Sequence, residues 1–222
     1  MAYSAGFSPH PKISYAGAAP TGVASEAEYL EIGVTRPCEP DRLRDALDAS
    51  LPHGLDVVDV VEARQGSLAD RLEGSSWELR LPGTPVETVS EAVRCFLAAE
   101  RVEVERMTKK GMRRFDAREA VLGLVVSEGT DGRAAGQTPT QPCVILRMVV
   151  RHVTPAVRPD DVLTGLRLLA DFAPPSPPEV TRLAQGPLDA DTGEPSDPFD
   201  LDRDTKRGGE AVPVGERVGG DL

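Results

Sequence analysis

The sequence predicts an α+β protein made of two ferredoxin-like (βαββαβ) units side by side, followed by a disordered acidic tail. Segments with strand and helix periodicity alternate through the first 188 residues. Their order over residues 75–188 is strand, helix, strand, strand, helix, strand, which is the ferredoxin-like pattern. Over residues 189–222 the periodic apolar residues stop and Gly, Pro and Asp are frequent, which predicts disorder.

The front unit, residues 1–62, is predicted to be incomplete. A proline-rich loop leads into two strands, over 12–18 and 28–34, because apolar and polar residues alternate in the second of them. Pro40 opens a helix, and the β-branched run 55–61 predicts a third strand. This is the pattern of the second unit without its opening strand and helix. We therefore expect an upstream segment or a partner to supply the missing strand.

The second unit, residues 75–188, follows a linker over residues 63–74. Helices are predicted to begin at Pro85 and Pro159, because proline is favoured in the first turn of a helix. An insertion over 108–142 begins basic and becomes rich in Gly, Thr, Pro and Gln, so its last part is predicted to be flexible. The predicted strands of this unit are 77–81, 102–107, 143–151 and 180–184.

Composition excludes several classes of protein. The chain has a net charge of −11, but residues 189–222 hold ten of its acidic and four of its basic residues, so the remainder is only mildly acidic. This argues against a broad basic surface for nucleic acid and leaves a local basic site open. There is no apolar run of the ~18 residues that a membrane span needs, and no secretory signal. The three cysteines are far apart, which favours reduced thiols in a cytoplasmic protein and no metal site.

The loop over residues 3–15 is the densest group of candidate binding residues. Pro9 and Pro11 exclude a helix and stiffen the backbone. His10 and Lys12 suit a phosphate or carboxylate ligand; the alternative is that His10 bonds a nearby carbonyl and Lys12 is merely solvated. The glycines of this loop and the next one serve backbone conformation rather than contact. The candidates from both loops are Tyr3, Ser4, Gly6, Phe7, His10, Pro11, Lys12, Gly22 and Glu26.

A second group of candidates is basic and begins the insertion. Its side chains could bind an RNA backbone or an acidic partner, although a charge run of this kind is commonly a solvated hairpin. Asp116 and Arg118 form a local ion pair in the simpler interpretation. The basic candidates are Lys109, Lys110, Arg113 and Arg114.

The loop motif also resembles a known family. Residues 3–14, Tyr-Ser-Ala-Gly-Phe-Ser-Pro-His-Pro-Lys-Ile-Ser, resemble the most distinctive motif of the radical-SAM-linked proteins of the DUF2344 family, and residues 20–29 resemble its continuation. Thr-Lys-Lys-Gly at 108–111, Phe-Asp-Ala-Arg at 115–118 and Arg-Pro-Asp at 158–160 look like further signatures. Family members carry a strand and helix before the first motif, so the resemblance also implies that the start lies upstream of Met1.

The resemblance implies a partner of a radical SAM enzyme, encoded beside it or fused to it in relatives. The chain lacks the C-x-x-x-C-x-x-C arrangement that holds a [4Fe–4S] cluster through three thiolates. No cofactor is therefore expected in this chain; S-adenosylmethionine and the iron–sulfur cluster are expected in the partner enzyme only. The leading hypothesis is a non-catalytic accessory or substrate-binding protein in RNA or protein modification, with no catalytic residues of its own.

Two other functions stay open at the sequence level. One is a stand-alone RNA-binding protein of tandem ferredoxin-like type, which uses the basic insertion. The other is a small-molecule hydrolase or transferase that uses His10, although no nucleophile motif accompanies it.

Overall fold

A computed structural model describes residues 1–5, 7–64, 66–109, 111–130 and 142–203. Its strands are β1 (Ile13–Ala16), β2 (Ala24–Ser25), β3 (Tyr29–Ile32), β4 (Gly74–Pro82), β5 (Glu103–Thr108), β6 (Gly111–Asp116), β7 (Val121–Thr130), β8 (Pro142–Arg151) and β9 (Glu179–Gly186). Its helices are α1 (Pro40–Asp48), α2 (Leu68–Arg71), α3 (Val86–Ala98), α4 (Pro159–Ala170) and α5 (Asp200–Arg203). The predicted α+β class is confirmed. None of the helices in the described ranges has the length and apolar character needed to cross a bilayer.

The chain forms two compact units that differ from the predicted halves. The first contains Met1–Gly33 and Ser67–Pro198, and the second contains Val34–Gly66 and Phe199–Leu222. The boundaries predicted from sequence fall instead after residues 62, 74 and 188.

The first unit is built around one sheet with the strand order β2-β9-β4-β8-β7. The four long strands are antiparallel neighbours, and the short β2 joins β9 in parallel. Helices α3 and α4 supply apolar residues to the core beside β4 and β8, because their apolar positions recur at helical spacing. The fully buried side chains of this core include Leu79, Leu81, Val89, Phe96, Leu146, Met148, Val162 and Leu166.

One predicted strand of this unit is wrong in its placement. Residues 102–107 were expected in the main sheet, but β5 pairs with β6 in a separate hairpin. The edge strand of the main sheet is instead β7, whose residues were predicted to lie in an insertion. The apolar run 121–126 is the physical reason, because its side chains cover the core better than the alternating charges of β5.

The duplication into two ferredoxin-like units is not confirmed. Strands β1 and β3 pair with each other only, as a two-stranded ribbon. Residues 55–61, predicted as a third strand, have no strand structure, and Asp59 instead accepts a hydrogen bond from the N–H of Val60 at 2.7 Å. This local bond competes with a strand ladder.

The second unit is held partly by Asp59 and Asp202. Asp59 forms an ion pair with Arg203, which lowers the pKa of that carboxyl through the hydrogen bond from the guanidinium. The side chain of Asp202 is buried and accepts the N–H of Arg64 at 3.2 Å. Helix α5 is thereby fixed to the segment that follows α1.

Residues 189–203 do not have the disorder predicted for the tail. Asp189 Oδ1 accepts the N–H of Asp191 at 3.1 Å and of Thr192 at 2.8 Å, forming a side-chain-stabilised turn. Leu188 and Pro195 then form a β-bridge. Turn chemistry of this kind gives no apolar periodicity, so the periodicity analysis missed it. Residues 204–222 lie outside the described part of the chain.

Candidate functional site

The loop over residues 3–11 is closed by hydrogen bonds at its base. The N–H of Ser4 donates to the carbonyl of His10 at 2.8 Å, and the N–H of His10 donates to Ser4 Oγ at 3.0 Å. Tyr3 and Pro11 form an antiparallel bridge directly outside this pair. Two prolines and three backbone-directed contacts therefore limit the conformations of the loop before anything binds to it.

The base of the loop is attached to the β1–β3 ribbon. Lys12 donates its N–H to the carbonyl of Ala2 at 2.9 Å, and Gly33 donates its N–H to the carbonyl of Lys12 at 2.8 Å. A Cβ at Gly33 would lie 3.0 Å from Cβ of Lys12, so glycine permits this close approach. The loop is therefore carried by the strand pair rather than by a flexible terminus.

The side chains of this loop are exposed. Phe7 is fully exposed, Tyr3 is 57% exposed and Tyr15 is 71% exposed, whereas Trp77 and the Phe residues of the core are buried. His10 and Lys12 are exposed beside them. Large exposed aromatic groups are uncommon on a surface without a binding role. The loop thus presents aromatic rings, an imidazole and an ammonium group from a stiffened backbone, while the predicted candidate Gly6 lies outside the described residues.

The ribbon below the loop adds an apolar face. The cross-strand pairs Ile13–Ile32 and Tyr15–Leu30 alternate with Ser14–Glu31, so these four apolar side chains share one face. Ile13, Tyr15 and Leu30 are exposed. A two-stranded ribbon is only marginally stable by itself, so this face is suited to being covered.

The second predicted loop positions its residues through the backbone. Gly22 has φ of +88°, and the N–H of Val23 next to it donates to the carbonyl of Pro20 at 3.2 Å. The conformational role predicted for Gly22 is confirmed. Glu26 is exposed, and its N–H donates to the carbonyl of Arg182 at 2.9 Å.

Arg182 is the residue that holds this loop, and no sequence pattern predicted it. Its buried guanidinium forms an ion pair with Glu28 and donates to the carbonyl of Gly17 at 2.5 Å. It also lies 5.6 Å from the ring centre of Trp77. Gln185 lies three residues further along β9, and its Nε2 donates to the carbonyl of Ala27 at 2.7 Å. An arginine within a half-buried strand was the available signal, but Gly17, Ser25 and Glu28 are each more than 150 residues away from it.

His152 belongs to the same polar cluster. Its Nδ1 lies 2.6 Å from the carbonyl of Leu72, and its Nε2 lies 3.1 Å from Ser75 Oγ, to which Trp77 Nε1 donates at 2.8 Å. A neutral imidazole protonated on Nδ1 satisfies every partner in this chain of hydrogen bonds. Burial lowers the pKa of His152, and the charge of Arg182 lowers it further.

The basic candidates lie on the β5–β6 hairpin, which is held to α4. Arg106 forms an ion pair with buried Asp161 and lies 5.0 Å from the ring centre of Phe115. Arg114 forms an exposed ion pair with Glu105, which partly offsets its charge. Lys109 is exposed at the hairpin tip and Arg113 is exposed on β6 opposite Arg106, and both line a cavity of about 530 Å³ with Met112. Lys110 lies outside the described residues.

The expected ion pair between Asp116 and Arg118 is wrong. Asp116 Oδ1 accepts the N–H groups of Val102 and Arg118, each at 2.9 Å. The guanidinium of Arg118 instead donates to the carbonyl of Val121 at 3.0 Å. Asp116 therefore fixes the turn through backbone donors, a role that charge spacing alone does not predict.

The predicted residues fall on two segments held by different elements. The loop residues are held through β3 and β9, and the basic residues through α4. Within the described part of the chain, no group of three or more His, Cys, Asp and Glu side chains is placed to hold a metal ion. The arrangement is suited to recognition by exposed groups on a rigid frame.

Fold and site together define an α+β protein with an exposed, proline-stiffened loop. Residues 1–159 match the model of DUF2344, described as an uncharacterised protein conserved in bacteria. The chain belongs to this family. No curated protein and no solved structure matches it.

Proposed function

We propose that the chain is a non-catalytic accessory or substrate-binding protein that works with a radical SAM enzyme in RNA or protein modification. The observation that carries this proposal is the stiffened loop, which exposes Tyr3, Phe7 and Tyr15 beside His10 and Lys12. Aromatic anchors of this kind supply large contact area at low entropic cost. The motif resemblance supplies the class of partner, and S-adenosylmethionine and the cluster belong to that partner in this proposal.

The contact surface in this proposal has two parts. The loop offers aromatic rings, the imidazole of His10 and the ammonium of Lys12 for acidic or polar partner residues, and the ribbon face offers Ile13 and Leu30 for apolar ones. The hydrogen bonds between Ser4 and His10 reduce the entropy lost when the loop is immobilised. Association is therefore expected to depend on both loop side chains and loop closure.

Co-purification of the full chain with the radical SAM enzyme encoded beside it tests this function. Phe7→Ala should abolish or strongly reduce recovery of the enzyme. Leu168→Ala is the matched control, because Leu168 is also an exposed apolar side chain of the first unit. Absence of association, or an enzyme product unchanged when the gene of this chain is deleted, would contradict the proposal.

The finer fold class is also proposed. Residues 74–186 form a ferredoxin-like unit in this interpretation, with β4, α3, β7, β8, α4 and β9 as its six elements. The spatial order β9-β4-β8-β7 supports it, because the first and third strands are then central and antiparallel.

RNA binding is the second candidate function, supported by the exposed Lys109 and Arg113 on the β5–β6 hairpin. The affinity for a single-stranded RNA should fall steeply as the salt concentration rises. In a plot of the logarithm of the binding constant against the logarithm of the salt concentration, the magnitude of the slope should decrease by about 0.7 for each phosphate contact removed. Replacement of Lys109, Lys110, Arg113 and Arg114 by Glu should abolish this binding. Arg94→Glu on α3 is the control, since Arg94 is exposed and paired with an acidic neighbour, as Arg114 is. Binding that is weak, or insensitive to salt and to the fourfold change, would exclude this candidate.

A further inference from the structure

Strand β7 is an edge strand of the main sheet. It pairs with β8 along its length, from Val121–Val150 to Thr130–Pro142, and occupies the last position in the strand order. Within the described residues, no other strand pairs with its outer side. A ten-residue strand therefore presents one row of backbone donors and acceptors to its surroundings.

The middle of this edge lacks the features that protect sheet edges from pairing. Residues 121–130 contain no Lys, Arg or Pro, and their one charge is Glu128. A bulge lies between Val121 and Gly123, at the other end of the strand. Between these two points Val125 is 64% exposed. An exposed, uncharged and apolar edge of this kind favours pairing with another strand.

Gly123 and Val125 lie on the same face of the sheet, where the glycine leaves a hole and the valine side chain forms a knob. Both line a cavity of about 240 Å³ on the sheet, together with Arg147, Val149 and Leu183. A Cβ at Gly123 would meet no atom within 4 Å, so the space beside this residue is open. A side chain from a neighbouring strand can cover an edge glycine and stabilise the pairing.

We propose that two copies of this chain associate by antiparallel pairing of their β7 strands about a twofold axis at Leu124. This register places Val125 of each copy opposite Gly123 of the other, so that each knob covers one hole. Val126 and the bulged Leu122 flank the paired residues 123–125, and both Glu128 carboxylates lie outside them. Parallel pairing in register would place Val125 against Val125 and leave both holes open. The strand is thus self-complementary in one orientation, as an isologous interface requires.

Sedimentation equilibrium of the full chain over a wide concentration range tests the association. The wild type should show a monomer–dimer equilibrium, and Val125→Lys should be monomeric, because it places a charge in the pairing edge. Val58→Lys is the matched control, since Val58 is also a strongly exposed valine but lies in the second unit. Circular dichroism and urea unfolding check that both variants fold. A monomeric wild type, or a dimer that survives Val125→Lys, would overturn the proposal.

Directed cross-linking tests the register. In a Cys38→Ser, Cys95→Ser background, Gly123→Cys and Val125→Cys should form a disulfide when the two variants are mixed and oxidised. Each variant alone should not, because identical residues are then diagonal neighbours about 7–8 Å apart, beyond the usual reach of a disulfide. Equal cross-linking of the single variants and of the mixture would overturn this register. If the chain is monomeric and its β7 edge instead binds a peptide of another protein, the dimer proposal is wrong.

Discussion

The guanidinium of Arg182 in β9 forms an ion pair with the carboxylate of Glu28, which directly precedes β3. The arginine side chain is only 4% exposed, and it also contacts Ser25, the carbonyl of Gly17 and Gln185. One buried cation thereby connects β9 to the segment that carries the exposed loop. The position of the loop depends on a residue far from it in sequence.

Arg182→Met should destabilise the first unit by about 2–4 kcal/mol. The substitution leaves the carboxylate of Glu28 without its guanidinium partner and the carbonyl of Gly17 with only the 3.3 Å bond from Gln185 Nε2, which is costly, although Glu28 is half exposed and recovers some hydration. Urea unfolding followed by Trp77 fluorescence measures the change. Arg94→Met, which removes an exposed ion pair with Glu91, should change the free energy of unfolding far less, because solvent screens this pair. Equal effects of the two substitutions would contradict the structural role of Arg182.

The stability of the protein should fall as the pH is lowered from neutral through the ordinary pKa of histidine. The folded pKa of His152 is lowered by burial, so the unfolded chain binds a proton first and acid favours unfolding. The contribution of His152 is fully present above about pH 6.5 and is lost as the pH falls toward its folded pKa. Urea unfolding at pH 7.5 and pH 5.5 measures this loss.

Two substitutions isolate the histidine responsible. His152→Gln should make the free energy of unfolding less dependent on pH in this window, because the titrating group is removed. Leu168→Ala, an exposed change that removes no titratable group, should leave the dependence as in the wild type. If the wild type and His152→Gln have the same pH dependence, the neutral imidazole inferred from the hydrogen bonds is wrong.

Local sequence patterns predicted those helices and strands that can be identified without knowing which other elements they contact. The alternation in β4, the apolar run of β8 and the proline at the start of α4 each identify an element from its own residues. The stiffened loop was predicted in the same way, because proline restricts the backbone wherever it stands. Exposure of Phe7, Tyr3 and Tyr15 then agrees with the binding role, which stays a prediction.

Long-range pairing could not be obtained in this way. Strands β5 and β7 both have strand-like sequences, and only the packing of the sheet decides that β7 takes the edge. The partners of Arg182 and His152 lie far away in sequence, so neither residue has a local signature. The turn at Asp189 depends on one side-chain oxygen that accepts several donors. These features arise from tertiary contacts rather than from periodicity.

Gly165→Ala should destabilise the protein by about 1–2 kcal/mol, although alanine favours helices over glycine by up to about 1 kcal/mol. Gly165 is buried in α4, and a Cβ there would lie 2.7 Å from Phe96 and 2.8 Å from Val102. Overpacking of a core costs about 1–3 kcal/mol, so the clash outweighs the gain in helix propensity. Urea unfolding checks the sign. Arg167→Ala, an exposed change in the same helix, should stay within about 0.5 kcal/mol of the wild type, and a stabilised Gly165→Ala would contradict the packing.

Ser4→Ala should open the exposed loop without unfolding the protein. The substitution removes the oxygen that accepts the N–H of His10, so amide exchange at His10 should become faster by roughly fivefold, as expected for one hydrogen bond worth about 1 kcal/mol. Ser8→Ala in the same loop is the control. The global free energy of unfolding should change by under about 0.5 kcal/mol, because the site is exposed. Phe7→Ala should leave the exchange of His10 as in the wild type, since the ring of Phe7 is fully exposed.

Under the proposed function both substitutions weaken association with the enzyme, Ser4→Ala by raising the entropy cost of binding and Phe7→Ala by removing a contact. Unchanged exchange at His10 in Ser4→Ala would show that this hydrogen bond does not close the loop.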